Sequence, residues 1–304
     1  MKNDISANKF DSLSRVHKVL GLPAPLHPLV SLVNNADGAV QLDRLPKPHV
    51  LSFYKIAYKM NFHGKLKYGQ QFYDFDEGGM FFVAPNQITG AHEEIGDQSG
   101  YTLLFHPDFL LGYPLARKIS QYGFFSYSVH EALHLSEREK ETIISVFQII
   151  EEELKSRIDD FSQDVVISQI ELLLNYSNRF YKRQFITRKA VNADLLQRVE
   201  EVLDEYFRSE ETHTSGLPTV QYLADRLNVT ANYLSDMLRA YTGQNAQQHI
   251  HFRLVERAKA RLSTTRMSVS EIAYELGFEH PQSFSKFFKL KTKLSPVDFR
   301  RSFN

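Results

Sequence analysis

A short pattern is written twice in the last third of this chain, and few folds accommodate it. Leu223-Ala224 to Leu227 and Ile272-Ala273 to Leu276 place apolar residues alike at an offset of 49. Past the break that follows each, Leu234-Ser235 and Phe284-Ser285 coincide at an offset of 50, so the second copy holds one extra residue in its turn. Each copy predicts a short helix, a break with an apolar residue just inside it (Val229, Phe278), and a second short helix. The apolar sides of the second helices are Leu234, Met237 and Leu238 in one copy and Phe284, Phe287 and Phe288 in the other. This is the helix-turn-helix layout, in which a first helix and turn brace a second helix whose outer face projects into the DNA major groove. One such hairpin guessed from sequence is a weak signal, because any pair of helices resembles it. Two related copies in one segment are much stronger.

Single residues fit the layout. Ala224 and Ala273 are small, which lets the helices of each unit approach closely. Gly277 can take the left-handed conformation that ends a helix sharply. Pro281 falls at the start of the next helix, where its missing N–H costs nothing. Between the copies, NAQQHIHFRLVERAKARLSTT carries a stripe of Ile250, Leu254, Ala258 and Leu262 and predicts one continuous helix about 25 Å long. Such a helix can hold two reading heads on one face of a duplex, whose turns repeat about every 34 Å.

Charge supports this division. The chain is neutral overall, with 36 basic and 36 acidic residues. From His213 to Asn304, however, 13 Lys and Arg face 7 Asp and Glu, which leaves 23 against 29 before it. The C-terminal third is therefore net +6 and the remainder net −6, an asymmetry expected when only one part meets a polyanion. Cysteine is absent, which excludes a disulfide framework and a cysteine-rich zinc site. No apolar run approaches the roughly 18 residues of a membrane span, and MKNDISANKFDSLSRVHK lacks a signal core, so the expected address is the cytoplasm with no membrane partner.

The N-terminal part reads differently. Residues 1–48 are rich in loop signals and are expected to be an arm. From His49 to His106, β-branched and aromatic runs (HVLSFYKIAY, GKLKYGQQFYDF, EGGMFFVAP, GYTLLFH) alternate with turn residues, and Asp76-Glu77-Gly78-Gly79 suits a hairpin turn. They predict an antiparallel sheet closed into a small barrel or roll. Ser136 with Glu139 forms a capping-box signature ahead of Ile143, Ile144, Phe147 and Ile150, and a second helix over residues 163–181 carries Val166, Ile170, Leu173 and Leu174. These two helices pack on the sheet or on a second chain. FITRKAVNA, residues 185–193, reads as a short basic link. The fold class expected is α+β: residues 1–130 an arm and sheet domain, 131–185 amphipathic helices suited to dimerisation, and 194–304 an all-α domain of two helix-turn-helix units joined by a linker helix.

At this point a resemblance becomes specific. LADRLNVTANYLSDMLRAYTG, FRLVERAKARL and SVSEIAYELGFEHPQSFSKFFKLKTKLSPVDFRR resemble the two-unit DNA-binding domain of the AraC/XylS family of bacterial transcription regulators, over residues 194–304. The β-rich part is more loosely similar to that family's cupin-like sensor. The resemblance implies a transcription regulator without a cofactor, partnered by double-stranded DNA, with RNA polymerase, a small effector and a second copy as further candidate partners. Carried over by position, the first recognition helix offers Ala231, Asn232, Ser235, Asp236 and Arg239, and the second offers Pro281, Gln282, Ser283, Lys286 and Lys289. Gln282 can pair with adenine and Lys286 can reach guanine, while Arg239 and Lys289 suit phosphates. Two positions depart from the family pattern. Asp236 is acidic, and a carboxylate is repelled by phosphates although it can accept from a cytosine amino group. Lys293 stands where a glycine is usual, which leaves the helix end there open.

A rival reading is a cupin-type metal enzyme with an appended DNA-binding module. His49, His63, His92 and His106 with Glu93 or Glu94 are the metal-capable group, but they lack the tight His-x-His spacing of a metal cupin, so structural roles are favoured. Phe53, Tyr58, Phe72, Phe81 and Phe82 are candidates for an effector pocket and equally what a core requires. No catalytic triad, phosphate loop or dinucleotide fingerprint is present, and no enzyme activity is expected.

Overall fold

In this computed structural model the described residues are 8–35, 40, 44–46, 48–60, 66–68, 71–73, 78–89, 99–128, 131–156, 159–209 and 211–303. The chain forms two compact units, Met1–Gln184 and Phe185–Asn304. Among the described residues no helix is long and apolar enough to cross a membrane.

The first unit starts with strand β1 (Lys9–Phe10) and helix α1 (Leu13–Leu20), followed by strand β2 (Val30–Asn34). The region read as an arm thus contains a helix and two strands. In α1 the burial of Leu13, Val16, His17 and Leu20 has helical spacing, but only eight residues long it is masked in the sequence by loop signals on both sides. Ser12 caps its start by accepting the Arg15 N–H, and Gly21 ends it at φ 70°.

Strands β3 (His49–Leu51), β4 (Tyr54–Lys59), β5 (Leu66–Tyr68), β6 (Gln71–Tyr73), β7 (Gly79–Val83), β8 (Ile88–Thr89) and β9 (Gly100–Phe105) come next, where alternation predicts strands. After β9 come the short helix α2 (Leu115–Lys118) and strand β10 (Leu133–His134). The main sheet has the order β10-β7-β4-β9-β2, all pairs antiparallel. Beside it are a three-stranded sheet, β1-β3-β8, and the hairpin β5-β6. The described strands form a roll of open sheets and no closed barrel, because β2 and β10 remain as edges of the main sheet. Asp76 and Glu77, half of the expected turn, lie outside the described residues.

Register assigns the two faces of the main sheet. Ile56 opposite Phe82 and Leu103, and Tyr58 opposite Met80 and Tyr101, point to one side. Helices α3 (Glu137–Lys155) and α4 (Ser162–Thr187) cover it: Tyr101 stacks on Phe147 with centroids 5.1 Å apart, and Phe82 reaches Tyr181 at 6.2 Å. The capping box at Ser136 and Glu139 forms, with the Ser136 N–H donated to Glu139 at 2.9 Å. The apolar stripes of both helices are buried except for Ile144, which is half-buried, so the sheet is what they pack against.

The second unit is helical: α5 (Lys189–Arg208), α6 (Glu211–Ser215), α7 (Val220–Leu227), α8 (Ala231–Thr242), α9 (Ala246–Thr264), α10 (Val269–Glu275), α11 (Pro281–Thr292) and α12 (Pro296–Arg301). The expected link at residues 185–193 is mostly helix, divided between the end of α4 and the start of α5. Its basic composition suggested a linker, but Phe185 is buried and packs edge-on against Tyr233 at 5.3 Å.

The internal repeat is longer than the sequence pattern indicated. Thr219 and Ser268 cap α7 and α10, with side chains accepting the N–H three residues on. Asn228 and Gly277 both take left-handed backbone, at φ 57° and 91°, and the next residue's N–H returns to Ala224 at 3.0 Å or Ala273 at 2.9 Å. Gly243 and Lys293 then end α8 and α11 at φ 80° and 67°, and Asn245 and Ser295 cap α9 and α12. Helices α9 and α12 thus begin alike, which the apolar pattern does not reveal because α12 has only six residues.

At two left-handed backbone positions substitution has opposite consequences. A Cβ on Gly277 would lie 2.4 Å from the Gly216 carbonyl oxygen, so glycine is required both by φ and by the close approach. Lys293 adopts the left-handed conformation that its first-unit counterpart assigns to glycine, and α11 ends at Thr292. Urea denaturation of the full chain, followed by circular dichroism, is expected to show Gly277→Ala destabilised by about 2 kcal/mol. Lys293→Gly is expected to gain about 0.5 to 1 kcal/mol; an unchanged midpoint for either would contradict this account of the turns.

Candidate nucleic-acid interface

Each second helix of a unit presents one apolar and one polar side. In α8, Tyr233, Leu234, Met237 and Leu238 are buried, while Asn232 and Arg239 are exposed and Ala231, Ser235 and Asp236 half-buried. In α11, Phe284 and Phe288 are buried, Gln282, Ser283, Lys286 and Lys289 are exposed, and Pro281 is half-buried. All the residues expected to read DNA therefore stay off the buried faces of their helices. Helix starts are fixed by Thr230, which accepts the Tyr233 N–H at 3.3 Å, and by Pro281 at the first helical position.

At the offset of 50, Asn232 corresponds to Gln282, Ser235 to Ser285, Asp236 to Lys286 and Arg239 to Lys289. Ser285, half-buried, occupies the place equivalent to Ser235, whereas the residue expected to act, Ser283, corresponds to the buried Tyr233. One contact joins two expected site residues directly: Arg239 Nη1 donates to Asp236 Oδ1 at 3.0 Å. Spacing alone allowed that pair, since residues three apart share a helix face.

Helix α9 holds the heads together. Its buried stripe comprises Ala246, Ile250, Leu254, Val255, Ala258 and Leu262. It packs on α7 and α8 of the first unit and on α10, α11 and α12 of the second. Polar ties add direction: Arg261 pairs with Glu275 of α10, and Arg300 Nε donates to the Leu262 carbonyl at 3.2 Å. Helix α5 is fastened to it by Arg253 and Arg257, which lie 3.5 and 3.4 Å from Asp204 carboxylate oxygens. Phe287, expected on the apolar side, is half-buried between Phe278 at 5.6 Å and the His251 ring at 5.2 Å.

Two histidines of α9 share this packing. His249 Nε2 lies 2.9 Å from the Thr242 hydroxyl at the end of α8, and His251 meets Phe287 of α11. Burial holds His249 below its ordinary value against an opposing pull from Glu200; burial, then Lys291, does the same to His251. Both are therefore neutral where ordinary histidine begins to charge.

Among the described residues there is no group of three side chains able to hold a metal. His49 Nδ1 bonds the Pro46 carbonyl at 2.9 Å, and His106 Nδ1 accepts the Asp108 N–H at 3.2 Å. His63, His92, Glu93 and Glu94 lie outside the described residues, and the side chain of Phe72 is likewise not described. Of the aromatics expected to line a pocket, Phe53, Tyr58 and Phe82 are buried in packed core, while Phe81 points to the opposite face with Ala57 and Val83.

Fold and site together define a sheet domain joined to a tandem helix-turn-helix domain. Residues 39–161 match the family described as AraC-like ligand binding domain, and residues 223–302 the one described as Helix-turn-helix domain. Both parts of the chain thus resemble parts of AraC-family regulators. Similar curated proteins include "Histidine kinase P4" of Formosa agariphila, 22% identical over 47% of this chain and 10% of that protein. Another is the "Raffinose operon transcriptional regulatory protein RafR" of Pediococcus pentosaceus, 32% identical over 31% of this chain and 33% of the relative. A third, the "Uncharacterized HTH-type transcriptional regulator YfiF" of Bacillus subtilis, is 22% identical over 83% of this chain and 78% of its own length. The chain spans no more than a third of the first two.

The histidine shifts carry a sign. A depressed folded pKa means that the unfolded chain binds more protons, so this stabilisation is present above about 6.5, the unfolded value, and is lost as pH falls below it. Denaturation of wild type and of the His249→Gln, His251→Gln double variant at pH 7.5 and 5.5 is expected to show a smaller acid loss in the variant; equal losses would count against it.

Proposed function

We propose that the chain is a sequence-specific DNA-binding transcription regulator, with two recognition helices that read adjacent major-groove segments. The observation that carries the reading is the duplication: α8 and α11 each bury one face and expose a polar one, and each ends on a residue with left-handed backbone. Asn232, Ser235, Asp236 and Arg239 form the first reading face, and Pro281, Gln282, Ser283, Lys286 and Lys289 the second. Gln282 and Lys286 act on base edges, and Lys289 on phosphate.

The sheet domain senses a small effector, in line with the ligand-binding family it matches, and the chain regulates instead of catalysing. On α4, Phe161 just before it, Val165 and Leu172 expose 69%, 36% and 40% of their surface at helical spacing, a stripe that suits a second copy of the chain. RNA polymerase would be met at the promoter, and a DNA partner sets the place of action in the cytoplasm.

A titration of labelled duplexes with the full chain tests this. Binding to a selected site is expected to weaken steeply with salt, as counterions are released. Lys289→Ala should lower affinity evenly across sequences and reduce the salt slope by about 1. Gln282→Ala and Lys286→Ala should each change the preferred bases, and the stoichiometry distinguishes one chain per site from two. Unaltered preference in both variants would sink the assignment of α11.

A further inference from the structure

Asp236 is the reading residue that a groove-facing helix explains least well. Its carboxylate is repelled by phosphates, and it stands where the second unit carries Lys286. Its surroundings remove the difficulty. Arg239, three residues on and sharing its face of α8, donates to it at 3.0 Å, so the pair brings no net charge to the groove.

Direction matters more than charge balance. Side chains on a helix lean toward its N-terminus, and a contact to a residue one turn earlier draws the Arg239 guanidinium the same way. The N-terminal part of a recognition helix is where base edges are met. Arg239 lies beyond the middle of α8, and the contact brings its flat fork back toward that end. One terminal nitrogen is engaged by Asp236, while 57% of the Arg239 side chain is exposed against 33% for Asp236. A guanidinium carries five N–H donors, enough to hold a carboxylate and still reach the two acceptors of a guanine.

We infer that Asp236 is a positioning residue that aims Arg239 at a guanine, so that the first unit reads one G·C pair through a paired arginine and not through the carboxylate itself. This rests on the DNA-binding reading above and reassigns Arg239 from phosphate to base. The second unit has no such device, since Lys286 and Lys289 occupy both places and repel one another.

Selection of randomised duplexes by the full chain, followed by sequencing, gives the preference at every position of the site. Wild type is expected to demand guanine at one position of the first half-site. Arg239→Ala should lose that demand by about tenfold or more, and Arg239→Lys should weaken it, since a lysine lacks the planar fork that Asp236 can hold in place. Asp236→Asn and Asp236→Ala should weaken the same position and no other, an outcome that mere loss of helix stability would not give. A lost cytosine preference in Asp236→Ala, with the Arg239 variants unaltered, would overturn the assignment in favour of direct reading by the carboxylate. An Arg239→Ala profile equal to wild type, with affinity lowered evenly across sequences, would overturn it in favour of a phosphate contact. A wild-type chain that selects no site overturns the DNA-binding reading as well, whereas a retained second half-site with no Arg239-dependent guanine overturns this inference alone.

Discussion

The buried stripe of α9 is the constraint on which the second unit depends. Ile250, Leu254, Ala258 and Leu262 leave almost no surface to water, and the helix that carries them touches both helix-turn-helix units. Each unit is too small to bury an adequate core by itself; packed on one shared helix, the two form one. At 19 residues α9 is about 28 Å long, so it fixes both a separation and a rotation between α8 and α11. Arg261 with Glu275, and Phe287 against His251, resist rotation of the second unit about that axis.

Equivalent backbones carry unlike side chains. The first unit fills its interior with Leu223, Leu227, Leu234 and Met237, and the second with Phe278, Phe284 and Phe288. Outside, an acidic and basic pair stands where the other copy has two lysines. A repeat whose helix order and left-handed helix ends are kept while both faces diverge suits two heads that read different sequences, so the site they select would be asymmetric.

Much of this was legible from the residues. Apolar spacing located α7 to α11, because short helices that bury one face leave a clear 3.6-residue period. Gly277 and Pro281 named their own backbone roles. What escaped has physical causes. Helix α1 and strand β2 lie within loop-rich sequence, and β2 is defined by pairing with β9, a partner some 70 residues away that no local pattern reveals. Lys293 at positive φ follows from the helices on either side of it and not from its own preference. The stretch at residues 185–193 reads as a short basic link, yet its ends are claimed by helices. At the interface, spacing identified the residues but not their mutual contacts. The Asp236 to Arg239 contact depends on rotamers, and without it the carboxylate read as an anomaly.

Helix α9 packs on both helix-turn-helix units and so holds α8 and α11 at a set spacing and phase. The most direct measurement compares the affinity of the full chain for its selected duplex with that for the same duplex carrying about five extra base pairs, half a turn, between the two half-sites. Affinity is expected to fall to that of a single half-site, because the second head then faces away from its groove. Equal affinity for the two duplexes would contradict it.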